Sequence, residues 1–234
     1  MYERPKRKRI PYGMMNFIDV RESNCYYVDK TVFIPIIEDA NKYFFYIRPR
    51  RFGKSLTISM LRHYYDVRDK SNFKKWYSGL YIGQHPTAER NSYLVIYLNF
   101  AVVNAELSSY RQSLDAHCGT EFDLFCEKYA DRLPADIQEK MHEKNGAVEQ
   151  LDFLYKRCAE CGQQIYLFID EYDHFTNKIL SEPACLNDYK SETHGTGYLR
   201  SFFDTVKSGT ESSIKRCFVT GVSPVTMDDL TSGF

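Results

Sequence analysis

Four short apolar runs, residues 43–47, 93–100, 165–169 and 216–220, constrain the fold of this chain more than any other feature. They are rich in aromatic and β-branched residues and are apolar on both faces rather than alternating, the pattern of strands buried in a parallel sheet. Helical spacing fills the intervals. Leu56, Met60, Leu61 and Tyr64 follow the first run, Val148, Leu151, Leu154, Tyr155 and Cys158 precede the third, and Tyr198, Phe202 and Val206 precede the fourth. Residues 66–92 form a connection containing Trp76, residues 105–159 are mostly helical with breaks at Pro134 and Asn145-Gly146, and the polar residues 176–197 read as a mobile surface loop. A chain of 234 residues with 43% hydrophobic content can bury one large core, so a single α/β domain over residues 1–234 is the expected organisation.

Charge excludes little. Thirty-one basic and thirty-one acidic residues cancel, so any nucleic acid or membrane partner must be met by a local patch. The run Lys6-Arg7-Lys8-Arg9 is such a patch, although a short basic tail beside a proline is ordinarily just solvated. No stretch approaches the roughly 18 apolar residues of a spanning helix, and the first residues lack the apolar core of a signal peptide, so the chain reads as cytoplasmic with no membrane partner. Seven scattered cysteines suit reduced thiols better than a disulfide framework. Cys158 and Cys161 make a C-x-x-C, but Cys158 shares the apolar stripe of a helix ending near Gly162, which favours a packing role over zinc or redox chemistry.

After the first strand comes RPRRFGKS, residues 48–55, whose last three residues match the end of the phosphate-loop pattern G-x-x-x-x-G-K-[ST]. Gly53 lets successive N–H groups curl around a phosphate, and the helix beginning there adds its positive end. Lys54 would reach the β- and γ-phosphates and Ser55 would offer its hydroxyl to Mg²⁺. Phe52 and Leu56 flank this set. Arg50 and Arg51 admit two readings, phosphate contacts or exposed loop charge. Arg48 stands where the pattern has its first glycine, and Pro49 suggests a loop shaped by rigidity in place of freedom.

The third run ends in two adjacent acids, Asp170 and Glu171, at the strand edge where open α/β sheets bind their ligands. Alternation along a strand would point them to opposite faces, Asp170 toward a metal and Glu171 toward an attacking water. The bland alternative is a strand capped by surface ion pairs. Asp173 is a weaker third acid. Beyond the fourth run, Thr220 or Ser223 would meet the γ-phosphate or the lytic water, or else stabilise a local turn.

With those residues in place the chain resembles the bacterial and archaeal AAA-ATPase-like family. IPYGMMNF ending at Phe17, YVDKT at residues 27–31, RPRRFGKS, LFIDEYD at residues 167–173 and FVTGVSPV at residues 218–225 carry the likeness over nearly the whole chain. Members of that family also have arginine where Arg48 stands. The resemblance implies a P-loop NTPase fold, three-layered α/β/α with a mostly parallel sheet of the additional-strand type and the fourth strand between the first and third. It implies ATP and Mg²⁺ as cofactors, Lys54, Glu171 and Thr220 in catalysis, residues 50–56 around the phosphates, and Ser55 with Asp170 at the metal. YVDKT would lie near the nucleotide base or pack under the loop. Relatives continue into a lid and a nuclease-like domain, so a chain ending at Phe234 reads as a truncated ATPase core whose partners are ATP or ADP, that nuclease-like domain, DNA or a protein, and further copies of itself.

The leading functional expectation is Mg²⁺-dependent ATP hydrolysis that controls a partner domain or a nucleic-acid process. A nucleotide-binding scaffold without hydrolysis is the alternative, and a P-loop kinase acting on a small molecule ranks behind both. The leading expectation needs the Lys54 ammonium and the carboxylates of Asp170 and Glu171 to serve one nucleotide.

Overall fold

A computed structural model describes residues 8–104, 106–174, 177 and 197–224. Lys6, Arg7, Val225 and all of the expected surface loop except Asn177 and Gly197 lie outside the described residues. The chain divides into two compact units, one made of residues up to Ala40 with Gly53–Ser92, the other of Asn41–Phe52 with the residues from Tyr93 on.

The first unit is built from short helices. Helix α1, Phe17–Glu22, starts because the Asn16 side chain accepts the N–H of Ile18 at 2.8 Å, the usual N-terminal cap. Its Phe17 is fully buried, with ring centroids 5.2 Å from Tyr27 and 5.1 Å from Tyr77. Helix α2 covers Ile34–Asp39 and helix α3 covers Lys54–Tyr65, the latter burying Ile58, Leu61, Tyr64 and Tyr65. Leu56, placed on the apolar stripe by its spacing, is only half-buried, because Thr57 and Ile58 take the inward positions. The Phe17 N–H donates to Ser59 Oγ at 2.9 Å, fixing α1 against α3. Helices α4, Phe73–Tyr77, and α5, Tyr81–Gln84, complete the unit. Arg21 donates to the carbonyls of Trp76 and Ser78 at 2.7 and 2.6 Å, and the Tyr77 hydroxyl donates to the Met60 carbonyl at 2.6 Å.

The second unit holds the sheet. Strands β1 (Tyr43–Ile47), β2 (Leu94–Asn99), β3 (Ile165–Asp170) and β4 (Ile214–Gly221) are all parallel, in the order β1-β4-β3-β2. The fourth strand thus sits between the first and the third, the order implied by the resemblance. Every residue of β3 is buried, as its unbroken apolar run predicts. β1 departs from that expectation: all five of its residues are only half-buried, and among the described residues it pairs with β4 alone. Aromatic rings stack across the strands in register. Phe44 lies 5.4 Å from Phe218 and Phe218 lies 6.0 Å from Phe168, cross-strand pairs that follow the register, while Phe168 also stacks on Tyr166 of its own strand at 4.3 Å.

Three longer helices support this sheet: α6 (Leu107–Lys128) meets β2, α9 (Tyr198–Thr210) meets β4, and α8 (Gly146–Glu160) contacts both helices. The short α7, Ile137–His142, lies between α6 and α8 in sequence, so the expected breaks at Pro134 and Asn145-Gly146 are present. Asp115 on α6 accepts the N–H of Ala147 at 2.7 Å and the hydroxyl of Tyr198, joining all three helices at one carboxylate. Cys158 is fully buried on α8 with Leu151 and Leu154, the packing position its spacing indicated, and burial pushes its thiol up to about 12. The six described cysteines are free thiols.

Parallel strands bring all their carboxyl ends to one edge, and the register shows which residues meet there. Ile47 aligns with Gly221, and Asn99 with Asp170. The RPRRFGKS turn leaves β1 at this edge, where the Arg48 N–H donates to the Gly221 carbonyl at 3.2 Å.

Candidate functional site

The acids stand at the end of β3. Asp170 is 1% exposed, and its Oδ1 accepts both the Thr220 hydroxyl and, at 3.0 Å, the N–H of Glu171. Among the described residues Oδ2 accepts no hydrogen bond, so one anionic oxygen of a buried carboxylate is left as a hard donor of the kind Mg²⁺ takes. Thr220 therefore acts here through Asp170, and Ser223 enters the turn through its main chain.

Glu171 is not separated from Asp170 in the way alternation suggested. β3 ends at Asp170, and Glu171 adopts φ 54, left-handed backbone that a glutamate enters only at a cost of about 1–2 kcal/mol. The chain reverses there, and the Tyr172 N–H donates to the Thr220 carbonyl at 3.0 Å. Strain of this sort persists only where surrounding contacts over-determine it. Those contacts come from the next two residues. The Tyr172 hydroxyl donates to the Ser223 carbonyl at 2.8 Å, and Asp173 Oδ2 accepts the N–H groups of Val222 at 2.9 Å and Ser223 at 2.6 Å and the Asn177 side chain at 2.7 Å. Asp173 is fully buried. What its place in D-E-Y-D marked as a weak third acid is a clamp between the β3 and β4 exits.

On the far side of β3, the Asn99 N–H donates to His117 Nε2 at 3.2 Å, which requires a neutral ring. Burial lowers the His117 pKa in the same direction. Nothing in the sequence near His117 signalled this, because the partner comes from another element.

The phosphate-turn residues divide between the two units: residues 48–52 belong to the sheet unit and Gly53, Lys54, Ser55 and Leu56 to the helical unit. Arg50, Arg51 and Phe52 are exposed. Arg51 is left-handed at φ 69, a strained conformation for a residue other than glycine. Gly53 has φ 74 and ψ 30, and caps α3. Its carbonyl accepts the Thr57 N–H at 3.0 Å and the Thr57 hydroxyl at 2.9 Å, which starts the helix directly after the glycine. Lys54 is 5% exposed, and Ser55 is half-buried.

YVDKT lies in the same helical unit, beside the glycine. Asp29 Oδ1 accepts from the Thr31 N–H and hydroxyl at 2.8 and 2.6 Å, and Oδ2 accepts from the Tyr81 N–H at 2.7 Å. Lys30 Nζ lies 2.9 Å from where a Cβ on Gly53 would stand.

A family model described as "Predicted AAA-ATPase" matches residues 11–231. An uncharacterized protein in the vnfD 5' region of Azotobacter chroococcum mcd 1 is 24% identical over 229 residues, 97% of this chain. The chain spans 40% of that relative's length. Cdc6p from Pyrobaculum aerophilum shows a TM-score of 0.37 at 11% identity, over 97% of this chain and 42% of that one, a likeness too slight to bear on fold or function.

Proposed function

Because the chain belongs to the predicted AAA-ATPase family, we propose that it binds ATP with Mg²⁺ and hydrolyses it. The observation that carries this reading is the buried Asp170, held by Thr220 and followed by a left-handed Glu171, on the sheet edge from which the RPRRFGKS turn departs. Lys54 and Ser55 engage the phosphates, with residues 50–56 forming the turn around them. Ser55 and Asp170 offer a hydroxyl and a carboxylate oxygen to Mg²⁺, which neutralises charge on the phosphates when bound. Glu171 accepts the proton of the attacking water, and Thr220 keeps the Asp170 carboxylate in place. In its finer class the fold reads as a three-layered P-loop NTPase of the additional-strand type.

The chain spans less than half of its relative, so we extend the proposal to control of a partner domain by nucleotide state. A nuclease-like domain, DNA or a protein, and further copies of this chain are the partners proposed. Thermal melting with and without Mg·ATP tests the primary reading. Ligand at 100 times its Kd stabilises a folded protein by about 2.7 kcal/mol, a shift of several degrees. An unchanged melting temperature at millimolar Mg·ATP would overturn nucleotide binding. A shift without phosphate release would leave a nucleotide-binding scaffold.

A further inference from the structure

The nucleotide site proposed above gives no task to the arm that precedes α1. This arm is fixed to the helical unit through its backbone. Arg9 pairs with Cys25 in a parallel bridge, and the Tyr26 N–H donates to the Arg9 carbonyl at 2.8 Å. Cys25 is buried, and its own N–H donates to the Val20 carbonyl at 3.0 Å, which ties the bridge to α1. A turn closes next, the Met14 N–H donating to the Pro11 carbonyl at 3.3 Å, and Met14 Sδ comes to 3.9 Å from Cys25 Sγ. Bridge and turn therefore meet at Cys25, which gathers Arg9, Tyr12 and Tyr26 in one neighbourhood.

What this neighbourhood presents is aromatic and basic. Tyr12 is 96% exposed and Tyr26 59%, and Lys8 and Arg9 are exposed beside them. A single exposed ring is ordinary, but two on one anchored turn form a patch. Left-handed backbone accompanies each ring. Gly13, directly after Tyr12, has φ 73 with nothing within 4 Å of a β-carbon there, so conformation and not packing requires the glycine. Asn24, two residues before Tyr26, has φ 51, a conformation that a residue other than glycine keeps only where other contacts hold it. Exposed rings stack on nucleic-acid bases, and lysine and arginine meet the phosphates between them. A duplex hides its base faces, so the rings call for an unpaired strand. An apolar protein face would cover the rings and leave both cations without a counterpart.

We propose that this surface binds single-stranded polynucleotide, with Tyr12 and Tyr26 stacking on bases while Lys8 and Arg9 contact the adjoining phosphates. This deepens the reading of a nucleic-acid partner and rests on that part of it, not on ATP hydrolysis. Recognition by ring faces and charge is tolerant of base sequence and sensitive to salt.

Fluorescence anisotropy with the 234-residue chain tests this, using labelled dT and rU strands of about 20 nucleotides and a DNA duplex of the same length. The single strands should bind more tightly than the duplex, and the tighter of the two names DNA or RNA as the source. Tyr12→Ala and Tyr26→Ala should each weaken binding about tenfold or more, and Tyr12→Phe, which keeps the ring, should recover most of the loss. Replacing Lys8 and Arg9 together by alanine should flatten the slope of log affinity against log salt by about 1.4, two phosphate contacts at about 0.7 each. None of these variants should alter the melting shift given by Mg·ATP, so this surface and the nucleotide site fail separately. Single-strand binding with unaltered affinity in both tyrosine variants would overturn this surface and keep the nucleic-acid partner. No binding of any oligonucleotide by the wild type would remove both. Binding to phosphatidylserine vesicles through the same tyrosines, without binding to oligonucleotides, would give the surface to a membrane and overturn the proposal. Should a tyrosine variant fail to fold, ultraviolet crosslinking of a bromodeoxyuridine strand to the native chain is mapped by mass spectrometry. Crosslinks at Tyr12 or Tyr26 are expected, and crosslinks elsewhere alone would contradict the assignment.

Discussion

Asp173 accepts the backbone N–H of Ser223 at 2.6 Å, and through this bond the exit of β4 is held against the turn that carries Glu171. The same oxygen takes the Val222 N–H, and the carboxylate itself is fully buried. Removing the acceptor leaves two N–H groups without their carboxylate partner, each costing about 1–3 kcal/mol. We therefore expect Asp173→Ala to lower stability by about 3 kcal/mol in a denaturant titration. Because Glu171 loses its support while the phosphate turn does not, kcat for ATP should fall with ATP affinity nearly constant. An equal loss of both would reduce Asp173 to a general stability role.

Gly221 closes the other side of this clamp. A Cβ there would stand 2.4 Å from the Tyr172 ring and 2.6 Å from Asp173 Oδ1. The ring is held by its hydroxyl bond to Ser223 and cannot easily retreat. Gly221→Ala should destabilise by about 1–3 kcal/mol, the range of overpacked cores, with a lower melting temperature as the readout. A variant melting with the wild type would show that the clamp is loose.

His117 links the β2 exit to pH. Its pKa is lowered by burial and its Nε2 accepts the Asn99 N–H, so the folded state resists a proton that the unfolded chain takes up below about pH 6.5. Stability must then fall as pH drops through that value, until the folded ring titrates as well. His117→Gln removes this contribution. Melting temperatures at pH 7.5 and 5.5 should diverge less for the variant than for the wild type, and identical divergence would exclude His117 as the source.

Thiol reactivity should follow burial. Burial pushes Cys126, Cys158 and Cys217 up to about 12 and Cys118 well above the usual thiol range, while Cys161 is only half-buried. Thiolate is the reactive form. Maleimide at pH 7.5 should label Cys161 before those four, as peptide mass mapping would reveal. Early labelling of Cys158 would contradict its place in the core of α8.

Much of this was legible in the sequence because it is local. Apolar runs located all four strands to within two residues, and helical spacing placed Cys158 on a buried face. Asp170 and Glu171 were marked by their position at the end of such a run. Spacing along one segment carries no information about partners from elsewhere. It did not show that β1 takes an edge position, nor that Asp173 reaches across to β4, nor that Lys30 lies beside Gly53. The left-handed Glu171 was hidden for a related reason, since the contacts that hold it come from residues about fifty positions away.

The account stands most directly on the separation of nucleotide binding from hydrolysis. Binding of labelled ATP and release of phosphate should be measured together on the wild type, Lys54→Ala and Glu171→Gln. The wild type should bind and turn over, Lys54→Ala should lose binding, and Glu171→Gln should bind ATP as the wild type does while turnover falls by about 10²-fold or more. Turnover retained by Glu171→Gln, or ATP affinity unchanged in Lys54→Ala, would contradict it.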